Sequence, residues 1–128
     1  MLIGGRGHDR LKASAGDNIL IAGFTDYDAN EAALAAISAE WNRRGATYQE
    51  RVDHLLNGGG LNGLTRLHPT TVHDDGNFDV VNGFVPPKLQ QDQRDWFIVN
   101  VDGDGDPKKK DRASGVGVGE VVTDINLQ

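Results

Sequence analysis

Residues 4–12 read Gly4-Gly5-Arg6-Gly7-His8-Asp9-Arg10-Leu11-Lys12 and satisfy every fixed position of the nonapeptide G-G-x-G-x-D-x-U-x, in which U is a large apolar residue. This spacing constrains the backbone first. Gly4, Gly5 and Gly7 admit positive φ and close approach in a tight loop, Asp9 ends that loop, and Leu11 sits in a short extended stretch where its side chain turns inward. A chain built this way alternates tight loops with short strands, which stack as a parallel β-roll.

The phase continues on both sides of the nonamer. Met1, Leu2 and Ile3 fit the last three positions of a preceding unit. Residues 13–21 keep glycine at the fourth position (Gly16) and leucine at the eighth (Leu20), with Asn18 in the Asp place. A further unit opens at Ala22-Gly23, but Tyr27 falls where the Asp belongs, and the repeat is expected to fail there. Downstream, residues 74–82 can be laid on the nonamer with Asp79 in the ligand place and Val81 in the core place. Asp95-Trp96-Phe97-Ile98 resumes the Asp-x-U phase after a loop insertion read over Phe84–Gln93.

Between these stretches the pattern is helical. Asp28-Ala29-Asn30-Glu31 has capping-box spacing, with Asp28 as the expected cap, and Leu34, Ile37 and Trp41 recur at helical spacing. The expected helix runs over residues 29–43 and ends at Gly45. Thr47-Tyr48-Gln49-Glu50 repeats the capping logic, and Tyr48, Val52, Leu55 and Leu56 form an apolar stripe. A second helix is expected to Leu56, stopped by Asn57-Gly58-Gly59-Gly60. The resulting αα-hairpin must lay its apolar face on something, and the open end of a β-roll is the expected partner.

Loops of this kind offer carboxylate and carbonyl oxygens, the ligands of Ca²⁺, a hard cation that takes about six to eight of them. One turn of a β-roll takes two nonamers, so an ion lies between loops two repeats apart. Asp9 is therefore expected to share its ion with a unit before it or with the unit at Tyr27, near Asp26 and Asp28. A second candidate is the loop from Asn100 to Asp111. Counting Asn100 as position 1 places oxygens at Asn100, Asp102 and Asp104, glycine at Gly105 and a carboxylate at Asp111, as in EF-hand-like loops. Pro107 and Lys108-Lys109-Lys110 depart from that pattern.

Composition narrows the classes. The chain has 128 residues, 17 glycines, 38% hydrophobic residues and a formal net charge of −6, which suits a loop-rich, cation-binding β domain and argues against nucleic acid or an anionic membrane surface as partner. Cysteine is absent, so disulfide and thiolate chemistry are excluded. No secretory leader or long apolar span is recognisable. Met1 falls inside a repeat, from which the chain is expected to be the C-terminal piece of a longer protein. His68, His73, Asp74 and Asp75 lack the spacing of a zinc site, and no nucleophile elbow or phosphate loop is found.

The nonamer, with its in-phase neighbours, resembles the haemolysin-type (RTX, repeats-in-toxin) calcium-binding family. Shorter islands, among them Asp26-Tyr27-Asp28, Ala39-Glu40-Trp41, residues 70–76, Asp95-Trp96-Phe97 and residues 119–124, resemble the non-repetitive ends of large exported bacterial proteins that carry such repeats. The resemblance implies an extracellular, secreted or cell-surface module that binds Ca²⁺, assists export and performs no catalysis, with calcium and the rest of a larger parent chain as its partners. The expected fold is mainly β (α+β), a β-roll over residues 1–28, a helical hairpin insertion over 29–68 and a degenerate β-roll continuation with C-terminal cap over 69–128. Expected metal positions are Asp9, Asn18, Asp79 and Asp95, then Asn100, Asp102, Asp104 and Asp111. Two other readings stay open: a metal-free structural or adhesion cap, and the trailing non-catalytic part of an exported hydrolase.

Overall fold

Successive strands alternate between two parallel sheets, apart from one pair that flanks two helices, so most do not pair with one another. The computed structural model describes residues 1–85 and 93–126. Its strands are β1 (Leu2–Ile3), β2 (Arg10–Lys12), β3 (Ile19–Ile21), β4 (Phe24–Thr25), β5 (Val72–His73), β6 (Val80–Asn82), β7 (Trp96–Val99), β8 (Arg112–Ser114) and β9 (Val121–Asp124). Helices α1 (Glu31–Trp41) and α2 (Tyr48–Asn57) lie between β4 and β5, and the fold is mixed α/β. The chain divides into a strand unit, residues 1–24 with 73–128, and a helical unit, residues 25–72.

In the strand unit, β1, β3, β7 and β9 form one sheet and β2, β6 and β8 another. Every pairing in both is parallel. Register follows the nonamer. Its eighth positions align as Leu2, Leu20, Phe97 and Val122 in the first sheet and as Leu11, Val81 and Ala113 in the second. Leu20, Phe97 and Val81 are buried in one apolar cluster with Ala13, Ala22 and Val99, and Leu11, Phe84 and Ala113 pack against it. Ile19, Ile21, Trp96 and Ile98, whose side chains alternate to the opposite face, are buried as well. Glycine at the first position lets neighbouring turns touch: a Cβ on Gly83 would lie 2.5 Å from the Phe97 ring and 2.8 Å from the Gly115 carbonyl oxygen.

The unit that opens at Ala22-Gly23 breaks off after Gly23, ahead of Tyr27. It is completed by residues 76–82, since Asn82 and Val81 of β6 pair with Lys12 and Leu11 of the preceding nonamer. Residues 22–23 and 76–82 together make one nonamer, A-G-G-N-F-D-V-V-N, with Asp79 sixth and Val81 eighth. Residues 24–75 are thus inserted within a single loop. The loop insertion read over Phe84–Gln93 lies largely outside the described residues.

The helical unit departs from expectation at its first cap. Asn30, not Asp28, accepts the Ala33 N–H and caps α1. Asp28 instead accepts from the Thr25 N–H and hydroxyl, at 3.1 and 2.6 Å, which fixes the turn before the helix. The C-cap of α1 is Asn42, ahead of Gly45. Thr47 caps α2 through the Glu50 N–H, and Gly58, at φ +87°, closes it. Ile37, Trp41, Tyr48, Val52 and Leu55 are buried, with the Trp41 and Tyr48 rings edge to face at 5.8 Å.

Glu40 is the polar centre of this unit, a role that no sequence pattern announces. Its side chain is fully buried, and Oε1 accepts from Arg43, His54 Nδ1 and the Leu61 N–H. Burial pushes its carboxyl up, but the bonds from His54 and Leu61 and the pairing with Arg43 outweigh that and hold it below the usual range. A Cβ at position 60 would fall 2.0 Å from Glu40 Oε1, so only glycine fits there.

Candidate metal centre

Strand register stacks the sixth positions of the repeats at the two edges of the strand unit. Asp9, Asp79 and Asp111 each precede a strand of one sheet and align on a first rim. Asn18, Asp95 and Glu120 precede strands of the other sheet and align on a second rim. On both rims a loop amide donates to the carboxylate of the next layer.

On the first rim the Asp9 N–H donates to Asp79 Oδ1 at 2.6 Å and the Asp79 N–H to Asp111 Oδ1 at 2.9 Å. The residue stacked on Asp9 is therefore Asp79, and not Asp26 or Asp28 of the Tyr27 stretch, because the inserted residues leave and rejoin the same loop. Asp111 Oδ2 accepts from the Asn100 N–H at 2.9 Å. The Asn100 amide nitrogen donates to Asp74 Oδ2 at 2.9 Å and Asp104 Oδ2 at 2.8 Å, while its Oδ1 accepts from the Gly103 N–H. Asp75 receives the Gly7 N–H and the Asn77 amides.

The Asn100–Asp111 loop is entered from strand β7 rather than from a helix, and Asp111 holds before β8 the ladder position that Asp79 holds before β6. The loop brings Asn100, Asp104 and Asp111 to the rim. Asp102 faces solvent, where it accepts the Asp104 N–H and caps the short 3₁₀ turn Gly103–Gly105. Asp104 there adopts φ +54°, a left-handed conformation that Asp tolerates better than most residues.

The first rim leaves three buried carboxylate oxygens without a hydrogen-bond partner: Asp9 Oδ2, Asp79 Oδ2 and Asp74 Oδ1. Asp79 and Asp74 are 0% and 1% exposed. Burial, followed by the charges of Asp75, Asp9 and Asp74, pushes the Asp79 carboxyl up to about 6 despite the bond from the Asp9 amide. Burial likewise pushes Asp111 up to about 7, with Asp79 and Asp74 adding to it. Asp74 is raised by burial in spite of Asn100 and Gly76. For Asp75 the bonds from Gly7 and Asn77 outweigh burial and hold the carboxyl low.

The second rim is closed by its own donors. Asp95 Oδ1 accepts from the Asn18 N–H at 2.9 Å and its amide at 3.0 Å, and Oδ2 from the Phe84 N–H at 2.8 Å. Glu120 Oε1 accepts from the Asp95 N–H and Oε2 from the Gly117 N–H. Asp17 and Gln93 add cross-layer bonds to Arg94 and Gly16.

Of the expected ligands, then, Asp9, Asp79, Asn100, Asp104 and Asp111 share the first rim, Asn18 and Asp95 share the second, and Asp102 belongs to neither. Asp74, Asp75 and Glu120 are rim residues that the repeat pattern did not assign. Glu120 had a readable signal: residues 115–123, G-V-G-V-G-E-V-V-T, form a nonamer with Glu in the Asp place. Elsewhere, His68 Nδ1 bonds the Thr70 hydroxyl and the His73 ring packs 5.2 Å from Phe24.

Hard cations suit the donor set of the first rim, which is all carboxylate, carboxamide and backbone oxygen. Among the described residues no three His, Cys, Asp or Glu side chains converge into a group that could hold a metal ion. Two carboxylates with loop carbonyls, or a further carboxylate drawn inward, are the arrangements open to a cation there. Among the described residues no helix is long and apolar enough to cross a membrane. Comparison of the chain with protein-family models, with curated proteins and with solved structures gives no match.

Proposed function

We propose that the strand unit is a parallel β-roll of the RTX kind that binds Ca²⁺ on its first rim. The single observation that carries this reading is the pair of buried oxygens, Asp9 Oδ2 and Asp79 Oδ2, that find no donor in adjoining turns. A buried carboxylate left half-paired is costly, and a hard cation removes that cost by supplying positive charge to several oxygens at once. Asp9 and Asp79 would hold the ion with carbonyls of the glycine-rich loop, and Asp111 would flank it.

The acidic balance, the absence of cysteine and the family resemblance support an extracellular setting, where Ca²⁺ is abundant. In that setting the chain acts as a C-terminal folding or capping module of an exported protein. Its loops stay loose while carboxylates repel in calcium-poor surroundings, and they close when Ca²⁺ arrives. The second rim favours one other reading, a metal-free structural cap, because its carboxylates are satisfied by amide donors alone.

A Ca²⁺ titration from chelator into the millimolar range, followed by far-UV circular dichroism and calorimetry with Mg²⁺ as control, separates the two. A saturable, Ca²⁺-selective heat with a gain of β signal is expected. No heat, and a spectrum already complete in chelator, would leave the metal-free cap.

A further inference from the structure

The nonamer accounts for Asp9, Asp79 and Asp111 by position, but it has no place for Asp74. That residue is the next to last of residues 24–75, the segment inserted between the two halves of one repeat. It is nonetheless among the most enclosed carboxylates of the rim, at 1% exposed. Its Oδ2 is held by the Asn100 amide at 2.9 Å and the Gly76 N–H at 3.1 Å. Its Oδ1 is buried and has no hydrogen-bond partner.

Hydrogen bonds tie this side chain to the ladder without a break. Asp74 accepts from Asn100, the Asn100 N–H donates to Asp111, and Asp111 accepts the Asp79 N–H. The negative charge of Asp74 is felt at both Asp79 and Asp111, so it lies on the same side of the rim. Its backbone also sits at the chain crossing. The Asp74 N–H donates to the Asn126 carbonyl, and a Cβ on Gly23, where the insert departs, would stand 2.2 Å from the carbonyl oxygen of His73, where it returns.

We infer that the inserted segment brings its own cation ligand to the rim: Asp74 Oδ1 binds Ca²⁺ together with Asp79, so that occupancy pins the point at which the insert rejoins the strands. This rests on the calcium reading above and adds a ligand that no repeat position supplies. In the cation-free arrangement no three such side chains converge among the described residues, so binding draws Asp74 and Asp79 toward each other and orders residues 72–76. Asp75 is the built-in comparison, since its oxygens are already engaged by Gly7 and Asn77.

The test is calorimetric titration of the full chain with CaCl₂, paired with amide hydrogen exchange over residues 72–76, for the unsubstituted protein, Asp74→Asn, Asp74→Glu and Asp75→Asn. Asp74→Asn is expected to lower Ca²⁺ affinity about tenfold or more and to abolish the Ca²⁺-induced protection of residues 72–76. Asp74→Glu, which restores a carboxylate, is expected to recover part of both, and Asp75→Asn to retain both. The inference is overturned if Asp74→Asn binds and protects like the unsubstituted chain, if Asp75→Asn loses as much, or if Glu at position 74 does no better than Asn. An unsubstituted chain that takes up no Ca²⁺ overturns the calcium reading itself, a result distinct from normal uptake by Asp74→Asn.

Discussion

The two rims of the strand unit present the same repeat position with closely related side chains, yet Asp9 and Asp79 of the first meet the opposite condition from Asp95 and Glu120 of the second, while Asp111 has both oxygens engaged. On the second rim every oxygen of Asp95 and Glu120 accepts an N–H, one from the neighbouring layer and one from the residue's own loop. On the first, Asp79 gives one oxygen to the ladder, while its other oxygen and Oδ2 of Asp9 are buried without a donor. Burial is therefore not the difference; Asp95 and Asp79 are 1% and 0% exposed. The difference is the count of inward-facing amides. A carboxylate with enough of them is a staple, and one with too few is, under the calcium proposal, a place for a cation.

If that contrast is right, Asp95→Ala has the largest effect and is indifferent to calcium. It strands the Asn18 and Phe84 backbone N–H groups in a partly buried setting, while the Asn18 side-chain amide keeps the Ser14 and Gly16 carbonyls, at a cost of about 2–4 kcal/mol. Urea unfolding in chelator and in Ca²⁺ should report the same loss. A loss that disappears in Ca²⁺ would mean that the second rim also holds the ion.

The next largest effect is the pH dependence of stability in chelator, and its sign is unusual for aspartates. Asp79 and Asp111 have folded values of about 6 and about 7, raised above the ordinary value of 3.8. The folded state therefore holds more protons than the unfolded state between those limits. Stability from these groups is fully present below about pH 4 and is lost as pH rises through 6 to 7, by about 1.4 kcal/mol for each pH unit that separates the folded from the unfolded value. Urea midpoints in chelator are expected to fall from about pH 5 to about pH 7.5. A flat or rising profile would show that the first rim is not strained by its own charge.

How far the sequence reaches differs between the rims for a physical reason. Nonamer phase locates Asp79 with Val81 and Asp95 with Phe97, because an eighth-position apolar residue must face the core two residues after the loop ends. Helical periodicity and the Thr47 cap likewise place α1 and α2. What the phase cannot reveal is that Ala22-Gly23 is resumed at residue 76, since each half of the split repeat is too short to register alone. That hides the Asp9–Asp79 pairing and the burial of Asp74 on the same rim. Asp111 is legible as a ligand type but falls into an EF-hand-like count, because extra residues in the loop shift it away from the nonamer spacing. Glu120 escapes the pattern through one additional methylene.

Asp79→Asn sharpens the contrast through a change of sign. The amide keeps an oxygen for the Asp9 N–H and removes a buried charge that neighbouring carboxylates repel, so at about pH 8 in chelator it is expected to raise stability by about 1–2 kcal/mol. In saturating Ca²⁺ the same variant is expected to be less stable than the unsubstituted chain, having lost a ligand. Thermal unfolding under the two conditions checks both halves. A variant that is destabilised in chelator too would place Asp79 among the staples.

The smallest expected effect is that of Glu120→Gln, the same carboxylate-to-amide exchange on the other rim. Here the oxygen facing the Asp95 N–H can be retained, but the amide NH₂ then points at the Gly117 N–H that Oε2 now accepts. Gly117 is exposed, so water replaces that acceptor and the loss should be only about 0.5–1 kcal/mol, unchanged by Ca²⁺. Its value lies in the pairing with Asp79→Asn: neutralising one sixth-position acid stabilises the cation-free chain, and neutralising the other weakens it. Equal signs for the two in chelator would remove the distinction between rims, because both exchanges leave the ladder bond in place and differ in what surrounds the second oxygen.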